Sequence, residues 1–499
     1  MGSLRDGPPH PAAVPVRAVV VGRGPNGLSA AIRLAQHGVE VTVLGQHATP
    51  GGGMRSGAFT LPGLLHDHCS AVHPIGLVSP FFQALDLASE GLQWAWPEID
   101  VAHPFDDAPA ALLWRDVART ADGLGEDGRR WRQVFGPLHR WLDDLAVDVL
   151  RPIAHVPSHP LKLAAFGAGA MLPATALANV WRTPRARALF TGVAAHLAGR
   201  LDRTFSASVG LMLTAAAHAY GWPVAVGGSQ SIANALVAKL RGLGGTVQTG
   251  VRVGDLADLG GAEIVLLDLD PAQALTLLHD RLADRVRRAY RSYPANSAAF
   301  KLDLAVEGGI PWRDETVGRA GTVHLGGTME EIAGAERAAV AGISQVRPYV
   351  LLAQQYLADP SRSSGALHPV WAYAHVPSGS RYDHTEAILD QIERFAPGAR
   401  ARIQHIHVVP PAALEAENPN LRLGDVTGGS GGGLRSILRP RVALNPYATG
   451  IPGIALCSAA TPPGPGVHGM AGYHAAGWAL HEHGLLSSPL RRTPSRTLE

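Results

Sequence analysis

The chain has 499 residues, 46% of them hydrophobic, with 58 Gly and 38 Pro. It is too long for one small module and too apolar for a disordered segment, so it reads as one large globular domain or two to three interleaved ones. Its 43 Lys and Arg against 41 Asp and Glu leave a net charge of +2, which excludes the basic excess that a nucleic-acid partner demands.

Residues 1–15 lack an apolar run and read as a flexible tail without an export signal. Arg17 to Val21 (RAVVV) then forms a short β-branched strand, followed by the turn Gly22-Arg23-Gly24-Pro25-Asn26-Gly27. Leu28, Ala31, Ile32, Leu34 and Ala35 carry helical apolar spacing up to Gly38, and Val39 to Leu44 supplies a second strand. In that β-turn-α-β context the glycines have defined tasks. Gly22 permits the tight turn, Gly24 lets a pyrophosphate approach, and Gly27 lets the helix pack on the sheet, while the helix N-terminus faces the anion. Pro25 and Asn26 belong to the same cradle.

A dinucleotide site of this kind usually carries an acid at the end of the second strand, to hold the ribose hydroxyls. Here that position is Gly45, and Gln46 or His47 offers only a neutral substitute. The loop Gly51-Gly52-Gly53-Met54-Arg55 follows, with backbone amides open to a ligand and an arginine able to reach a phosphate or a ring edge.

From 79 to 221 the pattern reads as a helical, tryptophan-bearing insertion, in which the segment Leu163 to Val180 is expected to be a buried helix pair, with shallow contact at a membrane surface as the other use of its apolar residues. A second α/β stretch covers 222–294, with a helix over 232–243 and strands over 246–253 and 263–269. Residues 295–417 alternate strands with one helix over 385–395, a mixed sheet suited to a pocket wall. Residues 418–486 are rich in glycine and end in a helix over 469–482. The two cysteines, Cys69 and Cys457, have no metal or redox spacing and suit a reducing cytoplasm. No metal site is expected. The dense histidine run His66-Asp67-His68-Cys69-Ser70-Ala71-Val72-His73 reads as structural hydrogen bonding, with His73 as a candidate acid or base.

The run VVVGRGPNGLSAAIRLAQHGVEVTVLGQHATPGGGMRSGAFTLPGLLHDHCSAVHP resembles the N-terminus of FAD-dependent oxidoreductases of the phytoene-desaturase-like family, in its bacterial NAD(P)/FAD-dependent branch. GGSQSIANALVAKLRGLGGTVQTGVRV, NPNLRLGDVTGG and NPYATGIPGIALCSAATPPGPGVHGMAGYHAA extend the resemblance over most of residues 17–480. It implies an α/β fold in which a Rossmann-like, discontinuous FAD-binding domain (16–78, 222–294 and 418–486) meets a substrate domain made of a mixed sheet and a helical insertion. It implies FAD as cofactor. Val253 would clasp the adenine through its backbone, and Thr461, Gly466, Val467, His468, Gly469 and Met470 would approach the flavin ring, with His468 a second candidate for tuning flavin or moving a proton. The departures from the family pattern are Gly45, the bulky Arg23, Pro465 in place of a glycine, and Leu423-Gly424-Asp425 in place of Gly-Gly-Asp.

The implied activity is dehydrogenation or desaturation at a C–C or C–N bond of an apolar small molecule, such as an isoprenoid or secondary metabolite. Two other readings stay open at this point: a non-redox isomerase or cyclase with structural, reduced or absent flavin, and a non-catalytic partner subunit. With Gly45 taken as a simple loss of the acid, Gly45→Glu is expected to tighten FAD.

Overall fold

A computed structural model describes residues 16–429 and 432–486; the tail expected over 1–15 lies outside them. The first strand, β1 (Arg17–Val21), enters helix α1 (Pro25–Ala35) through the glycine turn, and β2 (Glu40–Gly45) returns beside it. Pro25 opens the helix, where its missing N–H costs nothing and its fixed φ suits the first turn. Gly38, at φ +76°, ends the turn after α1.

β1 lies at the centre of a five-stranded sheet whose order is 454–456, 264–267, β1, β2, 246–249, every pair parallel. The chain leaves β1 in one direction and later fills the other side, so the C-terminal end of β1 is a topological switch point, where such sheets bind ligands. Helix 470–482 covers the same face as α1, and its small residues let the two backbones approach closely.

A second sheet has seven strands in the order 403–409, 298–307, 367–376, 350–353, 320–325, 99–103, 111–113. It is antiparallel except where 320–325 runs parallel to 99–103. The segment 79–221 is therefore not helical throughout, because Ile99–His103 and Ala111–Leu113 leave it to complete this sheet. Trp94–Ala95 also forms a short strand, paired with Val224–Ala225, while the helices of the segment pack around a ring cluster in which Trp131 and Phe135 stand 4.5 Å apart and Phe135 stacks on Trp181 at 6.1 Å.

The buried helix pair expected over 163–180 is corrected. Helices Pro160–Ala170 and Ala174–Ala178 form, but the first buries only Phe166 and Ala170. Leu161, Met171 and Leu172 face solvent, because alanine and glycine give that helix no apolar stripe wide enough to cover them. No helix of the described residues is long and apolar enough to cross a membrane.

Candidate functional site

A cavity of about 580 Å³ starts at the glycine turn, passes the 52–55 loop and ends at Pro465–Val467. Of the residues singled out in the sequence, Gly22, Gly24, Pro25 and Asn26 line its first part, with Gln46 and Val253 beside them. Gly52, Gly53 and Arg55 line the middle, and Gly466 and Val467 the far end.

The other expected residues stand behind the wall. A Cβ at Gly27 would press on the Gly22 carbonyl, with the Gly22 carbon at 3.0 Å, so Gly27 serves the turn itself. Gly51 donates its N–H to nothing in the cavity; the bond goes to the Arg23 carbonyl at 2.9 Å. Thr461 donates its hydroxyl to the Ser458 carbonyl at 2.7 Å. His468 accepts the Met470 N–H at Nδ1 over 3.0 Å, and its carbonyl accepts the Ser79 hydroxyl, so it shapes the 464–470 turn. Gly469, at φ +67°, has no room for a side chain against Ser29 and Phe82. Met470 is buried in the core as the first residue of its helix.

Sequence reasoning missed a carboxylate. Asp268 follows strand 264–267, next to β1, and its side chain fills the space that Gly22, Gly24 and Gly27 leave empty. Its Oδ2 accepts the Gly27 N–H at 3.0 Å and it also takes a bond from Gly24. Burial pushes this carboxyl up to about 6, against the pull of those two amides. Pro25 has no N–H to offer, and Asn26, the next residue of the turn, lines the cavity. The loop from Asp268 to Asp270 is fixed as well: Asn420 donates to the Asp268 carbonyl and accepts the Asp270 N–H, both at 2.8 Å. The readable signal was the Asp-Leu-Asp-Pro sequence at the end of an apolar strand.

Asn26 Oδ1 and the Arg23 Nη1 are buried without a hydrogen-bond partner. Both belong to residues of the glycine turn that line the cavity, where a bound dinucleotide would meet them. Arg55 pairs with Glu417 and donates from Nε to the Gly52 carbonyl at 2.9 Å, which places its guanidinium along the same wall.

The histidine run is a buried network. Asp67 accepts from Ser56 Oγ at 2.6 Å, from the Ser229 N–H at 2.7 Å and from Arg362 at 2.5 Å. Burial drives its carboxyl upward, but Arg362 and these bonds hold it below the usual carboxylate range. His66 meets Thr60 at 2.7 Å, and burial with the nearby Lys301 charge brings it down to about 3. His73 bonds Ser229 Oγ at 2.8 Å through Nε2 and Ser70 Oγ at 3.4 Å through Nδ1, and burial lowers it to about 4. It is neutral at pH 7 and both nitrogens are engaged. Among the described residues no group of three or more His, Cys, Asp or Glu is placed to hold a metal ion. Arg362→Met leaves Asp67 charged and unpaired in the interior; unfolding by urea is expected to show a loss of about 3–5 kcal/mol.

Cys69 lines the cavity, and it packs with Tyr373, on strand 367–376, against one small apolar cluster. From Tyr373 a buried polar chain leads inward. His375 Nδ1 stands 2.7 Å from Glu336 Oε1, and His196 and His324 meet at 3.1 Å through their Nε2 atoms. Burial and the neighbouring His375 lower His196 to about 3. His375 Nε2, Glu336 Oε2 and His324 Nδ1 have no partner. These atoms are buried behind Tyr373, and none of their residues lines the cavity.

The first part of the chain, residues 20–85, matches the NAD(P)-binding Rossmann-like domain. No curated protein matches the chain in sequence. Among solved structures, it resembles an oxidoreductase from Methanosarcina mazei at 15% identity and a TM-score of 0.62, over 93% of this chain and 100% of that one. Wild-type putrescine oxidase bound to putrescine is similar at 16% identity and a TM-score of 0.57, over 94% and 99%. Cyclohexylamine oxidase from Brevibacterium oxydans is similar at 16% identity and a TM-score of 0.54, over 94% and 100%. The chain thus has the two-part fold of these oxidoreductases, with a Rossmann-like domain beside a mixed sheet.

Proposed function

We propose that the protein is an FAD-dependent oxidoreductase of the dehydrogenase or desaturase type, acting on a C–C or C–N bond of a mostly apolar small molecule. The observation that carries this is a single cavity that begins at the dinucleotide turn, has Cys69 in its wall and ends at Pro465–Val467. The fold it shares with putrescine and cyclohexylamine oxidases favours the C–N bond of an amine.

Bound FAD would supply the hydride acceptor. The chain's own part is to hold the diphosphate at Asn26 and Arg55, exclude water and present the substrate. Tyr373 and Trp371 give an aromatic surface, their rings 4.7 Å apart. His196 and His324, which burial keeps neutral at pH 7, lie on the polar chain behind them and would give uncharged acceptors to a substrate N–H or O–H that reached it, which suits an amine that must lose a proton before its C–H bond reacts. His375 is held in the same chain by its bond to Glu336.

The purified protein is expected to be yellow, to release FAD on heating, and to lose its visible flavin bands when mixed anaerobically with an apolar amine. Bleaching by an unsaturated hydrocarbon but by no amine would move the reading to the C–C bond. A colourless preparation that still transforms its substrate would favour the non-redox isomerase or cyclase.

A further inference from the structure

Arg23 lies in the turn between the first two glycines, and its side chain crosses the end of β2. A Cβ built on Gly45 would stand 3.0 Å from Arg23 Cδ and 3.1 Å from Cγ, and closer still to Nε. The guanidinium therefore fills the space that a side chain at position 45 would need. Its Nη2 donates to the His47 carbonyl, while Nη1 is buried with no partner. Arg23 is 5% exposed and lines the cavity with Gly45, Gln46 and His47. Arg55 nearby has Glu417, but Arg23 makes no ion pair with any carboxylate among the described residues. A buried cation with a free N–H at a cavity wall calls for an oxygen acceptor from a ligand.

We infer that Arg23 and Gly45 are one coupled exchange: the adenosine-ribose end of the cavity holds its ligand by donation from the Arg23 guanidinium, where the usual acid at position 45 would accept from the ribose hydroxyls. Arg23 is thus the residue that fixes the adenosine half of the cofactor, and Gly45 is the space it occupies. The acceptors it takes are the ribose oxygens and the adjoining phosphate oxygens of an adenine nucleotide. This rests on the reading that the cavity holds an adenine dinucleotide, and it reverses the effect expected of Gly45→Glu from the sequence. A carboxylate added at 45 would run into Arg23, pair with it and withdraw both from the ligand.

The test measures binding of FAD, 5′-ADP and FMN to the full chain by calorimetry. Arg23→Ala is expected to weaken FAD and 5′-ADP in parallel by about tenfold or more, and to leave FMN, which lacks the adenosine half, as in the wild type. Arg23→Lys is expected to recover part of the loss. Gly45→Glu alone is expected to weaken FAD, and Arg23→Ala combined with Gly45→Glu to bind it more tightly than either single variant. Thermal unfolding without ligand checks that each variant folds; if Arg23→Ala does not, Arg23→Met keeps the stem and serves the same readout. Equal or tighter FAD binding by Arg23→Ala, or tighter binding by Gly45→Glu with Arg23 in place, overturns the inference while the dinucleotide reading stands. A wild-type chain that binds neither FAD nor 5′-ADP overturns both.

Discussion

Asp268→Asn is expected to tighten FAD binding at pH 8 and to leave it almost unchanged at pH 5. The Asp268 carboxyl is bonded to the amides of the turn that would cradle the diphosphate, so its charge opposes that of the ligand. At a separation of ~6–10 Å and an effective dielectric of ~20, such a repulsion is worth roughly 2–3 kcal/mol. Because burial raises the carboxyl to about 6, it is largely neutral at pH 5 and charged at pH 8. Wild-type affinity should therefore fall as pH rises through about 6, and the asparagine variant should lose that dependence.

Stability in the absence of ligand moves with the same proton. The folded chain holds it more tightly than the unfolded chain does, so the stabilisation is complete below the unfolded value near 3.8 and is lost as pH rises through about 6. A carboxyl raised from near 3.8 to about 6 corresponds to about 3 kcal/mol. Asparagine can still accept the Gly27 N–H without carrying charge, so the variant's advantage in unfolding midpoint should grow from pH 4 to pH 8. A difference that stays constant across that range would mean that the carboxyl is not buried as described.

The parts of this site that could be read in the sequence are those made by neighbouring residues. The β1–α1–β2 unit was legible because a β-branched run, a glycine turn and a helical apolar spacing follow one another within about 30 residues, the context in which that turn has meaning. Strand 298–307 and helix 385–395 were legible for the same reason. Strands Ile99–His103 and Ala111–Leu113 were hidden: they are short, flank a proline-containing loop, and the first is paired with 320–325, more than 200 residues away. The loss of an acid at Gly45 was plain, but its meaning was not. That depends on which way Arg23 folds, which is a tertiary fact. Likewise, Lys301 and Asp303 alternate along one strand as if to face water, yet they form a buried pair at 2.7 Å because Phe59 and His66 cover them.

Gly472→Ala should have a much larger effect than Gly477→Ala, although both lie in the same helix and both replacements favour helix formation intrinsically. At Gly472 a Cβ would enter the backbone of α1: the Asn26 carbonyl carbon lies at 2.7 Å and the Ala30 nitrogen at 3.0 Å, with the Asn26 oxygen nearer still. Backbone atoms inside two packed helices cannot step aside, so the helices must separate. Asn26 also stands at the mouth of the turn, and moving it displaces the amide that would meet the diphosphate. At Gly477 the atoms met are the tip of Arg33, at 2.9 Å, and the end of a flexible side chain can turn away. Overpacking of a rigid core commonly costs about 1–3 kcal/mol, and the Gly472 variant should reach or exceed the top of that range while also losing FAD affinity. The Gly477 variant should stay within about 1 kcal/mol of the wild type by urea unfolding and bind FAD normally. If the two variants unfold at the same urea concentration, the close crossing of α1 with the C-terminal helix is not what holds the glycine turn in place.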